Sequence, residues 1–166
     1  MGRRKETTEE LKESLSDALL DLLRDTPIEK IRMQDVADRA GVGRITFYRH
    51  FSSKQELIDY KLQALWNRYT ETHQTERTDQ WFFTFFYENR ELLTRLYRLN
   101  LFSCTHDFIV GLFASEYAAS PESRFAVAFL SYGLLGIVTT WAADGFRKST
   151  EEVLALAHQY HLTDGG

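Results

Sequence analysis

The sequence predicts an all-α protein, and three observations carry that expectation. Only two prolines occur, Pro27 and Pro121, and both suit the start of a helix. No stretch alternates apolar and polar residues with strand-type composition. Apolar residues recur instead three and four positions apart, the spacing that lines one face of a helix.

The elements follow in order. Leu11, Leu15, Ala18, Leu19, Leu22 and Leu23 form one stripe, predicting a helix from about Thr7 to Arg24. Thr7 and Glu10 have capping-box spacing at its start. Pro27 stops it, because the residue before a proline is pushed out of the helical region. Met33 to Ala40 reads as a short helix with Val36 and Ala37 inward. Gly41 stands where a helix ends in a left-handed residue, which glycine adopts without strain. Val42 and Gly43 turn the chain, and Arg44 to His50 make a second short helix with Phe47 and Phe51 facing the core. Ser53 and Glu56 form another capping box. A fourth helix then carries Ile58, Leu62, Leu65, Trp66 and Tyr69 to about Thr72. No linker separates it from what precedes.

Charge is distributed unevenly along this order. The chain carries a formal net charge of -4. Yet Lys30, Arg32, Arg39, Arg44, Arg49 and Lys54 crowd one short segment, against Asp35 and Asp38 alone. A helix, a tight glycine turn and a second helix with a basic outer face is the arrangement that lays a helix in the DNA major groove. The plainer reading is a surface helical hairpin with a charged face.

The residues say more than the spacing. "IRMQDVADRAGVGRITFYRHFSSKQELI" closely resembles the DNA-binding domain of the TetR family, the tetracycline-repressor-like bacterial regulators. The resemblance rests on Val36-Ala37, Ala40-Gly41-Val42, Thr46-Phe47-Tyr48, His50-Phe51, Ser53-Lys54 and Glu56-Leu57. It extends over roughly residues 8–60. Gly43 departs from it, standing where the family often has a capping serine.

The resemblance implies a set of DNA contacts. Arg44 is placed to bond a guanine edge. Ile45 and Thr46 are placed for a thymine methyl or a phosphate. Tyr48 and His50 match phosphate-contacting positions, Gln34 a backbone or base contact, and Arg49 a rim position. Lys54, opening the fourth helix, is expected to meet a phosphate together with the free N–H groups there. Arg3, Arg4 and Lys5 read as a solubilising terminus.

The second half is less legible. Trp81 to Tyr87 holds six aromatic residues in seven. A helix aromatic on all sides must be buried on most of them. Trp81, Phe85, Tyr97, Phe108 and Phe129 are candidate walls of a pocket for a small hydrophobic or aromatic effector. The plainer reading of any one ring is core packing. Further helices are expected at about 90–99, 105–118 and 121–145, the last ended by Gly145. Ser149 and Glu152 give a third capping box. Small residues along the last two helices suit a close approach of a second copy. The resemblance places a two-fold dimer axis there, and the expected interface is Ala126, Gly133, Gly136, Thr140, Val153, Leu156 and Tyr160. Residues 131–156 also resemble, more loosely, the C-terminal type of dihydroxyacetone-kinase operon activators.

Other chemistries find little support. Cys104 is the one cysteine, so no internal disulfide or cysteine cage forms. Cys104, His106 and Asp107 are clustered, but neighbours in a helix cannot all face one point. His158 and His161 read as helix-end histidines. There is no P-loop, HExxH, GxSxG or nucleophile–base–acid set. No enzyme activity, cofactor or metal is expected. No apolar run approaches the length of a membrane span. "MGRRKETTEE" lacks the apolar core of a secretory signal, and Glu6 stands where a myristoylation motif wants serine or threonine. A cytoplasmic protein is expected.

The sequence thus yields a helix-turn-helix domain at 1–54 and a helical effector-binding and dimerisation domain at 55–166. The function implied is a homodimeric transcriptional regulator, a repressor by default, bound to double-stranded DNA bearing an inverted repeat. An activator is the alternative. So is a helical ligand- or protein-binding module without DNA binding.

Overall fold

The computed structural model describes residues 7–73, 79–116 and 123–159. Its described residues are helical, with no strand among them. The chain divides into two compact units, 1–65 and 66–166. The division falls inside the fourth helix, not at its first residue.

The first unit is built by α1 (Thr8–Leu22), a 3-10 turn (Ile28–Lys30), α2 (Met33–Arg39), α3 (Arg44–His50) and the first part of α4 (Lys54–Thr72). The expected cap of α1 is present: Glu10 N–H donates to Thr7 Oγ1 at 3.3 Å, and Thr7 N–H to the Glu10 carboxylate at 2.8 Å. Leu15, Leu19, Val36, Ala37, Phe47, Leu57, Ile58 and Leu62 are buried together as the core. Each large side chain among them contributes about 2 kcal/mol by leaving water. Tyr60 donates to Glu9 at 2.9 Å, and Lys61 to Asp17 at 2.6 Å. These bonds hold the first part of α4 to α1 and explain why the unit extends beyond residue 54.

Gly41 does the work expected of it. Its φ is 70°. Val42 N–H reaches back to the Ala37 carbonyl at 2.9 Å, and Gly41 N–H to that of Asp38 at 3.1 Å. This paired closure satisfies the free carbonyls of α2 and turns the chain toward α3. Gly43 caps α3 with backbone only.

The second unit contains the end of α4, α5 (Asp79–Glu88), α6 (Arg90–Arg98), α7 (Ser103–Glu116), α8 (Ser123–Ala143) and α9 (Thr150–Gln159). α8 packs along α7 and α6, and α5 packs on α9 and α6. The aromatic run of α5 is buried on most sides, as its composition requires: Phe83, Phe85 and Phe86 are fully buried. α6 and α8 end in the same paired closure as α2. Asn100 (φ 56°) and Gly145 (φ 69°) take the left-handed position. After α8, Phe146 folds back onto Trp141 with ring centroids 4.9 Å apart.

Two expectations need correction. Ser53 does cap α4, accepting the Glu56 N–H at 3.1 Å, but the Glu56 carboxylate bonds Ser52 instead, accepting its N–H at 2.8 Å. Among the described residues one helical stretch, Arg124–Ala143, is also long and apolar enough to cross a membrane by length and composition. Core helices share that composition. Here Leu134, Val138, Trp141 and Ala142 make one side of the helix part of the core.

Candidate nucleic-acid interface

The candidate recognition element is α3. Its seven residues place Phe47 wholly inside, and Phe51, just beyond its end, packs beside it with ring centroids 6.3 Å apart. Burying those positions turns Arg44, Ile45, Tyr48 and Arg49 outward, where they form one continuous exposed face. Ile45 is 79% exposed, a large apolar side chain left in water beside two cations. Arg44 lies over the Tyr48 ring, its guanidinium carbon 5.4 Å from the centroid. That stacking keeps the guanidinium close to the surface of α3. Thr46 and His50 are half-buried at the edges of the same face.

The basic segment sorts into spent and free charge. Arg32 forms an ion pair with Asp35 at 2.8 Å, and Arg39 with Asp21 at 3.2 Å. The Arg32 guanidinium and backbone N–H both bond the Asp35 carboxyl and hold it below the usual carboxylate range. Among the described residues, Arg44, Arg49 and Lys30 have no ion-pair partner. The free positive charge therefore sits on α3 and on the turn before α2. Lys30 was not among the residues expected from the sequence, and its exposed place at the end of the 3-10 turn is visible only in three dimensions.

Two expected contacts are placed differently. Lys54 does not turn outward. Its ammonium donates to the Ile28 carbonyl and, at 2.8 Å, to that of Ile31. Two of its three N–H donors are thus used inside the unit, on the carbonyl that opens the 3-10 turn and on that of the residue just after it. Gln34 sits on α2, half-buried, and its side-chain amide donates to Asp38 at 2.6 Å. On α1, Glu10, Glu13, Asp17 and Asp21 line an open depression of about 430 Å³ with Arg39. That acidic wall repels phosphates, so α3 is the side of this unit suited to a polyanion.

In the second unit the structure gathers three of the five predicted effector residues. Trp66 is their hub, with ring centroids 4.8 Å from Trp81, 4.9 Å from Phe85 and 6.1 Å from Phe108. Trp66 was expected only as part of the α4 stripe. Tyr97 does not join them; it is exposed and packs on Phe102. Phe129 does not either. It is 64% exposed, because the inward positions of α8 are Ser131, Leu134, Val138 and Trp141.

The predicted dimer residues also divide. Ala126, Gly136, Thr140 and Leu156 are exposed and Gly133 is half-buried. Val153 is core, since α9 turns Val153 and Ala157 inward where it packs on α5. Tyr160 lies outside the described residues, as do Arg3, Arg4, Lys5 and His161. No group of three or more His, Cys, Asp or Glu side chains among the described residues is placed to hold a metal ion.

Residues 15–60 match a family model described as bacterial regulatory proteins, tetR family. Residues 80–161 match a second, described as transcriptional regulator C-terminal region. The first contains every residue of the α2–turn–α3 face. A comparison with curated proteins found no match.

Proposed function

Because the chain belongs to the tetR family of bacterial regulatory proteins, and so to a class of DNA-binding transcriptional regulators, we propose that it is a homodimeric repressor, holding an inverted-repeat operator until a small hydrophobic or aromatic effector binds. The observation that carries the reading is the exposed face of α3, where Arg44 and Arg49 stand without ion-pair partners among the described residues, beside an exposed Ile45. Unpaired arginines suit phosphates and guanine edges, and an exposed branched side chain suits a thymine methyl.

The dimer is supported by the outer side of α8. Phe125, Phe129 and Tyr132 are 81%, 64% and 61% exposed in the single chain. Together with Gly136 and Thr140 they continue one stripe at three- and four-residue spacing. A contiguous apolar stripe in water marks an interaction surface, and a two-fold axis lets one stripe cover its own copy. Effector binding is supported by the Trp66, Trp81, Phe85 and Phe108 cluster.

Activation remains the alternative sign of regulation, and a helical binding module without DNA affinity the alternative class. Selection from a random duplex library by the full-length protein tests the reading. An enriched inverted repeat is expected, bound with an affinity that falls steeply with salt. No enrichment, with salt-insensitive binding, would overturn it. A promoter carrying the selected site ahead of a reporter then gives the sign, since repression predicts lower expression when the protein is present.

A further inference from the structure

We infer that α3 is built for the acceptor edge of guanine and the methyl group of thymine, in preference to the amino groups of adenine and cytosine, and that Ile45 makes a thymine methyl a determinant of operator choice in each half-site. The inference rests on the reading that α3 enters the major groove, and it adds which base edges that face recognises.

Among the described residues of the first unit, two large hydrophobic side chains are exposed, Ile45 and Tyr48, and both stand on α3. Tyr48 has a role within the protein, since its ring lies under the Arg44 guanidinium. Ile45 adds little to the core, being 79% exposed. One exposed aliphatic residue is ordinary on a surface, and here its neighbours give it meaning. Arg49 follows one turn later in the same row of the helix, and Arg44 stands beside it. Neither arginine has an ion-pair partner among the described residues. Two cations that draw this surface to a duplex therefore bring a branched hydrocarbon with them.

What α3 lacks is as specific as what it carries. None of its seven residues has an amide or carboxylate side chain, the groups that pair with adenine or accept from cytosine N4. Those nearby on α2 are engaged within the protein. The Gln34 amide donates to Asp38 at 2.6 Å, and Arg32 holds Asp35 at 2.8 Å. The Thr46 hydroxyl lies back toward Gly43, 4.0 Å from where a Cβ would stand on that glycine. The face thus offers guanidinium donors and one hydrocarbon. Guanidinium donors match the O6 and N7 acceptors of guanine, and the hydrocarbon matches the methyl of thymine. 5-Methylcytosine carries the same methyl, but its amino donor would meet donors and stay unpaired, so thymine is the favoured base.

Deoxyuridine tests this, because it removes the methyl of thymine and leaves the hydrogen-bonding groups in place. The operator selected by the full-length protein is scanned with it, one symmetric pair of thymines at a time. At one pair, the loss of both methyls is expected to weaken binding roughly tenfold. Ile45→Ala should weaken binding to the thymine operator by a similar factor and bind the deoxyuridine operator no worse than the wild type does, since both changes remove one contact. The variant should keep its melting temperature, because the side chain is exposed and alanine favours a helix. 5-Methylcytosine paired with guanine at the same position should bind more weakly than thymine. An operator in which every thymine tolerates deoxyuridine, losses from deoxyuridine and Ile45→Ala that add in full, or 5-methylcytosine bound as tightly as thymine would overturn the inference and leave the DNA-binding function standing. Failure to select any duplex would defeat that function, and this inference with it.

Discussion

Lys54 Nζ donates to the Ile31 carbonyl across 2.8 Å, tying the first turn of α4 to the segment that leads into α2. A second bond reaches Ile28, at the head of the 3-10 turn. A charged donor on partly buried carbonyls is worth more than an exposed ion pair. Lys54→Ala should therefore cost about 1.5–3 kcal/mol of stability, seen as a lower urea midpoint with an unchanged slope. If stability holds and the salt dependence of DNA binding flattens instead, the lysine is a phosphate contact after all.

The face of α3 makes a different demand. Arg44→Ala should cost about 1–3 kcal/mol and relax selection at one base pair of each half-site. Lys30→Ala should weaken binding to every duplex and reduce the slope of log affinity against log salt by about 0.9 for each contacted phosphate. Tyr48→Ala should resemble a weak Arg44→Ala, because it removes the ring on which the guanidinium rests. Fluorescence anisotropy over a salt series, with matched and single-mismatch duplexes, separates these three outcomes.

Three carboxylates close helix starts in the first unit, and acid should open them. The Thr7 backbone N–H lowers the pKa of Glu10, the Arg32 guanidinium that of Asp35, and the Ser52 hydroxyl that of Glu56. A carboxyl whose folded pKa is depressed adds stability above its unfolded value and loses it as pH falls through the folded one. The melting temperature should therefore hold near neutral pH and fall below the ordinary carboxylate range, about pH 4. Replacing Glu10, Asp35 and Glu56 together by glutamine should flatten that fall. An unchanged acid limb would place the sensitive groups elsewhere.

Much of this was legible because local chemistry decided it. Gly41 after Ala40, the Thr7 and Ser149 boxes, and Phe47 with Phe51 each fix their surroundings through bonds or packing a few residues long. What was not legible depends on partners distant in sequence. Lys54 reads as a phosphate ligand until the Ile28 and Ile31 carbonyls, more than twenty residues earlier, are seen beside it. Phe129 and Val153 exchange roles for a similar reason. Their helices are apolar around much of their girth, so the pattern does not say which side is inward, and the packing of α8 on α7 and of α9 on α5 decides it. Arg39 and Arg44 look alike in the sequence, and only the pair with Asp21, on α1, tells spent charge from free.

The outer stripe of α8 gives the last prediction. Gly136 is exposed on it, and a Cβ built there meets nothing within 4 Å in a single chain. An arginine at 136 therefore has room in the protomer and leaves the core residues Leu134 and Val138 in place. Glycine to arginine within a helix also raises intrinsic helix propensity by somewhat under 1 kcal/mol. The monomer should fold at least as well as before. In a two-fold dimer built on this stripe the same substitution enters twice, bringing two cations together near the axis where the backbones approach. Like charges desolvated at an interface cost several kcal/mol. Gly136→Arg should thus be a folded monomer by light scattering at micromolar concentration. It should bind a single half-site as weakly as one recognition helix allows and lose the gain that the full palindrome gives the wild type. A dimer of unchanged mass and operator affinity would place the interface on another face of the second unit.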